Sequence, residues 1–294
     1  MPVNRSGRVL PAVLLGVLVV VALAALLLNR APAPAPFSPV PLARAHAHND
    51  YRHYRPLLDA LGHGFTSVEA DIWAVDGELL VAHELDQADP TRTLQALYLQ
   101  PLWKRVQAND GHVYTDESTF ILLVDIKSDG ESTYSALDVA LQPYRPMLTT
   151  FTDAGLEVGA ATLVVSGNRP RELMASQAER WAGYDGRIGD LASEAPVGFM
   201  PLISDHWATH FTWTGAGPMP AAERERLRRI IELAHEAERR VRFWGTPDDA
   251  PQRQAVWREL LAAGIDLINT DHLTELEEFL LANDPRPSTP FVDW

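Results

Sequence analysis

From Leu42 onward, short apolar runs alternate with amphipathic stretches. The apolar runs are rich in Val, Ile and Leu, which is typical of strands buried in a sheet. About eight such segments separated by helices predict a parallel α/β fold, a (β/α)8 TIM barrel. A doubly wound sheet is the alternative, but no glycine-rich phosphate loop follows an early strand. The predicted strands cover 42–46, 67–73 (with a hairpin arm over 78–83), 120–126, 161–166, 181–185, 200–204, 241–244 and 267–269.

The predicted helices rest on apolar positions at helical spacing, most clearly over 221–240. Gly264 is expected to end the helix before it. The helices cover 56–61, 94–106, 135–144, 169–180, 221–240, 252–263 and 273–282.

The N-terminal segment has a different pattern. Arg5 and Arg8 precede an uncharged apolar run over 9–28, which is long enough to cross a bilayer as a transmembrane helix. We predict a signal anchor or signal peptide over 1–30, an extended Pro/Ala-rich linker over 31–41, the barrel over 42–283 and a C-terminal tail over 284–294. This organisation predicts a membrane-anchored protein with an extracytoplasmic catalytic domain, or a secreted one.

Composition narrows the possible partners and metals. The chain has 294 residues, 46% of them hydrophobic, which suits one large domain. Its net charge of -14 argues against nucleic acid as a partner, because nucleic acid requires clustered Lys and Arg. The chain has no cysteine, so disulfides and thiolate metal sites are excluded. Any metal must therefore bind His, Asp, Glu or neutral oxygens. Composition does not indicate the oligomeric state.

Several predicted strands end in side chains that bind metals or transfer protons. His46 and His48 lie two apart on the first strand, as do Glu69 and Asp71 on the second, so each pair faces one side. Asp125 adds a carboxylate at the end of the most apolar strand. Carboxylates that converge in this way favour one hard divalent cation, Mg²⁺ or Ca²⁺.

Histidines beside such a cation indicate acid–base chemistry, because an imidazole takes a proton from one oxygen and gives one to another. His48 and His83 are the candidates. Lys127, two residues beyond Asp125, is a candidate partner for an anion. This combination suits cleavage of a phosphodiester, in which a metal offsets the phosphate charge.

Six segments resemble a known family. The chain is similar to the glycerophosphodiester phosphodiesterase-like group of the PLC-like phosphodiesterases, which are distorted TIM barrels, and to its subgroup named for altered inheritance of mitochondria protein six. The resemblance implies metal-dependent hydrolysis of glycerophosphodiester or phospholipid-type substrates. The segments are 46–51 (HAHNDY), 67–73 (SVEADIW), 81–83 (VAH), 124–127 (VDIK), 241–244 (VRFW) and 267–271 (LINTD).

The family pattern also implies roles for individual residues. One departure matters: the usual His-Arg-Gly is here His48-Asn49-Asp50, so the family's Arg is absent and Asn49 or Asp50 is left to fill its place. The resemblance implies Glu69, Asp71 and Asp125 as metal ligands, His48 and His83 as the acid–base pair with His46 as a competitor, and Lys127, Trp244 and Asn49 as substrate contacts.

Two other functions stay open from the sequence. The His46-x-His48 pair also resembles zinc-dependent amidohydrolase-type sites, for which His206, His210 and Asp271 are available as further ligands. The third possibility is a catalytically inactive, membrane-tethered barrel that binds a ligand, since a fold does not dictate a function.

Overall fold

The strands of the computed structural model, which describes residues 39–294, form a closed ring. They are β1 Leu42–Ala47, β2 Phe65–Val75, β3 Glu78–Val81, β4 Phe120–Ile126, β5 Thr150–Thr152, β6 Gly155–Glu157, β7 Ala161–Gly167, β8 Glu179–Arg180, β9 Gly183–Gly186, β10 Leu202–His206, β11 Arg240–Trp244 and β12 Leu267–Thr270. Eight of them pair in parallel in the order β1, β2, β4, β7, β9, β10, β11, β12, and β12 returns to β1. The predicted eight-stranded parallel barrel is confirmed.

The helices lie in the connections between these strands. They are α1 Leu58–Gly62, α2 Gln100–Ala108, α3 Gly130–Leu141, α4 Arg171–Ala175, α5 Trp207–His210, α6 Ala221–Glu236, α7 Ala250–Ala263 and α8 Leu273–Asn283. In α6 the apolar positions at helical spacing, such as Leu227 and Ile231, are buried. Gly264 ends α7 in the left-handed region, with φ +84°, as its position predicts.

The main difference from the predicted elements lies between β7 and β9. The helix predicted over 169–180 ends at Ala175, and the chain then forms β8, which pairs with β5 in a three-stranded antiparallel sheet. Arg180 explains the early end. Its side chain is buried and donates to the carbonyls of Gln177 (2.8 Å) and Gly198 (2.6 Å), contacts that a continuous helix would not allow.

The predicted membrane-anchored or secreted location is corrected. No helix within residues 39–294 is long and apolar enough to cross a membrane. The apolar run over 9–28, on which the prediction rested, lies outside the described residues.

Strand alternation divides the barrel interior into an apolar base and a charged top. Near the amino ends of the strands, Ile121, Leu202 and Leu267 pack with the tail residues Val292 and Trp294. The predicted tail thus covers the base of the barrel with apolar side chains. At the carboxyl ends, the inward positions carry ionisable side chains, and this end holds the candidate site.

Candidate active site

One cavity of about 380 Å³ opens at the carboxyl ends of the strands. Parallel pairing sets Asp71 beside Asp125, which brings residues distant in sequence to one edge. A larger cavity of about 490 Å³ lies beside the tail at the opposite end and contains none of the predicted site residues. The carboxyl-end cavity is lined by His48, Asn49, Glu69, His83, Asp125, Ile126, Lys127, Ser166, Gly167, Asn168, Arg187, Arg242 and Trp244.

The three predicted metal ligands form one cluster. Glu69, Asp71 and Asp125 each offer a carboxylate oxygen, and these atoms all lie within 4.8 Å of one another. Lys127 Nζ lies 3.2 Å from Asp71 Oδ2 and 3.4 Å from Asp125 Oδ2. Asp71 Oδ1, however, is buried without a hydrogen-bond partner. Because an orphaned buried oxygen is costly, this cluster fits an oxygen-liganded divalent cation.

Burial and the neighbouring charges shift the pKa of Asp125. Burial raises its pKa to about 6, and the charges of Glu69 and Asp71 add to this effect against the opposing charge of Lys127. The carboxylate also depends on Gly167, which has φ +68°: a Cβ there would overlap Asp125 Oδ1. Glycine at this position therefore makes room for the carboxylate.

His83 is oriented by Asp71. Its Nδ1 lies 2.9 Å from Asp71 Oδ2, a contact that suits a tautomer with the N–H at Nδ1. The other ring nitrogen, Nε2, lies 3.7 Å from Glu84 Oε1. The Tyr51 hydroxyl lies 2.7 Å from both Asp71 Oδ2 and Asn49 Oδ1. Burial, and then the negative charge of Asp71, raises the pKa of Tyr51 well above its usual value, so the hydroxyl stays protonated.

His48 has a matching partner. Its Nδ1 lies 2.9 Å from Asp271 Oδ1, at the end of β12. Burial would raise the pKa of Asp271, but the hydrogen bond and charge of His48 outweigh it and lower that pKa. The next residue, Asn49, reaches the cavity in a left-handed conformation with φ +48°. Asp50 instead accepts from Leu57 N (2.6 Å) and the Tyr98 hydroxyl (2.9 Å), so it anchors the loop away from the cavity.

His46 lies deeper in the barrel and does not line the cavity. Its Nδ1 is 2.7 Å from Ser67 Oγ, and its Nε2 is 3.5 Å from Glu69 Oε2. Burial, followed by the positive charge of Arg242, lowers the pKa of His46 to about 4. The imidazole is therefore neutral at physiological pH.

Arg242 was not predicted as a site residue. Its Nη2 donates to Glu69 Oε2 (2.7 Å) and its Nε to Asn269 Oδ1 (2.9 Å), and both charged side chains are about 95% buried. Burial would raise the pKa of Glu69, but Arg242 and then His46 outweigh it and hold that pKa below its usual range. Arg242 thus brings a guanidinium to the site, although it comes from β11 and not from the sequence position directly after His48.

The zinc ligand set does not assemble. His206 packs edge-on against the Trp244 ring, 4.5 Å between centroids, and His210 Nε2 lies 3.0 Å from Asp205. In residues 39–294 the one group of at least three His, Asp or Glu side chains close enough to hold a metal is the carboxylate cluster. It contains no histidine.

The fold and the site at the carboxyl ends of its strands together define an α/β barrel of the phosphodiesterase class. A family model described as an AIM6-like phosphodiesterase domain matches residues 37–185, half of the chain, and a glycerophosphoryl diester phosphodiesterase family model matches residues 240–274. The chain belongs to the AIM6-like phosphodiesterase family, as its motifs predict.

Individual relatives agree with this assignment. The chain is 31% identical over 256 residues to the altered inheritance of mitochondria protein 6 homolog of Arthroderma benhamiae. That alignment covers 77% of this chain and 80% of the relative. It is 28% identical over 273 residues to altered inheritance of mitochondria protein 6 of Saccharomyces cerevisiae, and this alignment covers 78% of the chain and 68% of the relative. A glycerophosphoryl diester phosphodiesterase structure from Parabacteroides distasonis shares the fold, with a TM-score of 0.52, 12% identity and coverage of 85% and 90%.

Proposed function

We propose that this protein hydrolyses phosphodiesters of the glycerophosphodiester or phospholipid type by paired acid–base catalysis. One observation carries the proposal. His48 and His83 line the same cavity, and each holds its Nδ1 against a carboxylate, Asp271 for His48 and Asp71 for His83. Each imidazole therefore has Nε2 as the nitrogen that would exchange protons. Asn49 Nδ2 lies 3.0 Å from His48 Nδ1 and 3.3 Å from His48 Nε2, so this amide would have to move aside when a substrate binds.

The two histidines act on two different oxygens of the phosphodiester reaction, one as a base and the other as an acid. One Nε2 takes the proton from the attacking oxygen, and the other, protonated, delivers a proton to the leaving oxygen. Asp71 and Asp271 keep each ring in the required tautomer and stabilise the imidazolium form. His46 is neutral and beneath the cavity, so we assign it a supporting role to Glu69.

The charged groups around the histidines suit an anionic substrate. Glu69, Asp71 and Asp125 would hold Mg²⁺ or Ca²⁺, which would supply charge compensation to the phosphate. Lys127 is partly exposed in the same cavity and would contact a non-bridging phosphate oxygen. Trp244, 38% exposed at the rim, would contact the remainder of the substrate.

The test is hydrolysis of glycerophosphodiesters, whose leaving alkoxide requires a proton, by the wild type and by His48→Ala and His83→Ala. Each variant should lose about 10²–10⁴-fold in kcat, the usual contribution of acid–base catalysis. His63→Ala is the matched control, because His63 Nδ1 also binds a carboxylate, Glu277 at 2.6 Å, but lies outside the cavity. Full activity in both cavity variants, with correct folding, would contradict the mechanism.

A further inference from the structure

The loop between β1 and α1, which brings His48 and Asn49 to the cavity, has an unusual backbone in two places. Asn49 is left-handed, with φ +48° and ψ +39°. Leu57 has φ +63° and ψ -50° and forms the centre of a γ-turn, which Leu58 N closes by donating to the Pro56 carbonyl at 2.7 Å. A γ-turn with positive φ is rare and strained in a residue other than glycine. Such strain persists only where the surrounding structure holds the backbone in place.

Asp50 ties the two ends of this loop together. Its Oδ2 accepts from Leu57 N (2.6 Å), the amide at the centre of the γ-turn, and from the Tyr98 hydroxyl (2.9 Å). Burial, and then the negative charge of Asp50, raises the pKa of Tyr98 well above its usual value, so the hydroxyl stays protonated and donates. Asp50 is itself fully buried, and its Oδ1 has no hydrogen-bond partner. A buried carboxylate with an unpartnered oxygen is costly, so this contact holds the loop at the expense of stability.

A second segment of the chain supports the loop from outside. Tyr98 lies in a π-helical turn, Gln95–Leu99, directly before α2, and turns of this kind are rare and recur at functional sites. In the same connection, Arg92 Nη2 donates to the Tyr51 carbonyl at 2.5 Å. The segment after β3 therefore holds two consecutive residues of the loop, Asp50 and Tyr51. Neither Tyr98 nor Arg92 lines the cavity.

His48 depends on this support because its own side-chain partner is weakly fixed. Asp271, which contacts His48 Nδ1, is half-exposed, and exposed ion pairs contribute little. His83 is also partly exposed, but its partner Asp71 is fully buried and is held in turn by the Tyr51 hydroxyl. The position of the His48 ring therefore depends on where the loop places its backbone.

We propose that Asp50 and Tyr98 are positioning residues, which together with Arg92 hold the loop so that His48 stands in place for proton transfer. This proposal rests on the proposed phosphodiesterase activity. It assigns a role in the reaction to a hydrogen bond outside the cavity, between residues 48 positions apart in sequence.

Tyr98→Phe tests the proposal, because it removes one hydroxyl and keeps the ring. Tyr114→Phe is the matched control: Tyr114 is equally buried, and its hydroxyl donates to the Phe65 carbonyl (2.6 Å), away from the cavity. On the glycerophosphodiester that the wild type hydrolyses best, Tyr98→Phe should lower kcat by about 10- to 100-fold and leave KM within about threefold. Tyr114→Phe should keep both constants within about threefold. Equal kcat values in the two variants would overturn the proposal.

A positioning residue that acts through His48 has an effect only while His48 is present. Adding Tyr98→Phe to His48→Ala should therefore lower the residual kcat by less than about twofold. A further loss as large as in the wild-type background would overturn the proposal, because Tyr98 would then act on the fold as a whole. Urea unfolding checks that each variant folds. If Tyr98→Phe does not, Arg92→Met, which removes only the donation to the Tyr51 carbonyl, takes its place with the same expectations.

A spectroscopic measurement separates this proposal from the proposed function. The chain has ten histidines, and in ¹H–¹³C spectra of the imidazole rings the signal of His48 is the one missing from His48→Ala. If the wild type hydrolyses no phosphodiester, or if His48→Ala has no residual activity to measure, this signal decides. A His48 signal that shifts in Tyr98→Phe and not in Tyr114→Phe supports the positioning role. An unchanged His48 signal in Tyr98→Phe overturns it.

Discussion

The buried Arg242–Glu69 pair gives the sharpest test of how the site is held together. Arg242→Met removes the guanidinium and leaves the Glu69 carboxylate charged, about 95% buried and without its closest cation. Removing one partner of a buried ion pair usually costs about 3–5 kcal/mol, because the other charge stays desolvated. The loss of the hydrogen bond to Asn269 adds to that cost. We expect Arg242→Met to destabilise the protein by at least ~3 kcal/mol.

The double variant separates the pair interaction from the packing. Arg242→Met with Glu69→Gln leaves no uncompensated charge, so it should be less destabilised than the sum of the two single variants by about 2 kcal/mol or more. Arg55→Ala is the matched control. Its pair with Asp59 has a similar length, 2.8 Å, but the Arg55 side chain is 61% exposed, and the expected cost is below about 0.5 kcal/mol.

The assay is urea unfolding followed by circular dichroism at pH 7.5 with EDTA present, so that no bound cation contributes to stability. Additive single-variant losses would refute the reasoning, as would a loss below ~1 kcal/mol in Arg242→Met. Either result would mean that Glu69 finds other compensation, for example from His46.

Three further predictions concern the cavity and its supporting loop. Gly167→Ala should lower kcat/KM for bis(p-nitrophenyl) phosphate by roughly 10–100-fold, because the added methyl group would displace Asp125. Gly62→Ala is the control, since a Cβ at Gly62 would meet no atom within 4 Å. Equal activities of the two variants would contradict this prediction. Burial raises the pKa of Asp50 from 3.8 to about 6, so the folded protein binds a proton at this carboxyl more tightly than the unfolded chain does. The resulting contribution to folding stability is fully present below pH 3.8 and is lost as the pH rises through 6. In urea unfolding, Asp50→Asn should therefore gain about 2 kcal/mol relative to wild type between pH 4 and pH 7. An unchanged difference would show that burial does not shift the pKa of this carboxyl. EDTA should abolish hydrolysis and Mg²⁺ or Ca²⁺ should restore it; activity that ignores EDTA would exclude the cation.

The sequence predicts the barrel well because each strand is locally recognisable. The run at Phe120–Ile126 is almost wholly apolar, and strand alternation correctly places Glu69 with Asp71 on one side. The antiparallel strands β5, β6 and β8 were missed because they are only two or three residues long. Burial of Arg180, which ends the predicted helix early, depends on carbonyls that only the folded chain brings near it.

The partners of the site residues were harder to predict because the closure of the ring creates them. Asp271 meets His48 across 223 residues of sequence, and Arg242 meets Glu69 across 173. Periodicity shows which residues share a face, but it does not say which distant strand lies opposite.

A sequence signal for Arg242 nevertheless exists. Asp125 indicates a site because a charge in an apolar strand is costly unless it is paired. The same argument applies to a positive charge, and Val241-Arg242-Phe243 is an apolar strand interrupted by one. A buried cation must find a buried anion, and Glu69-x-Asp71 is an acidic pair on another buried strand. Because desolvation is costly for both signs of charge, Arg242 in its apolar strand indicates a guanidinium at this site despite the missing arginine after His48.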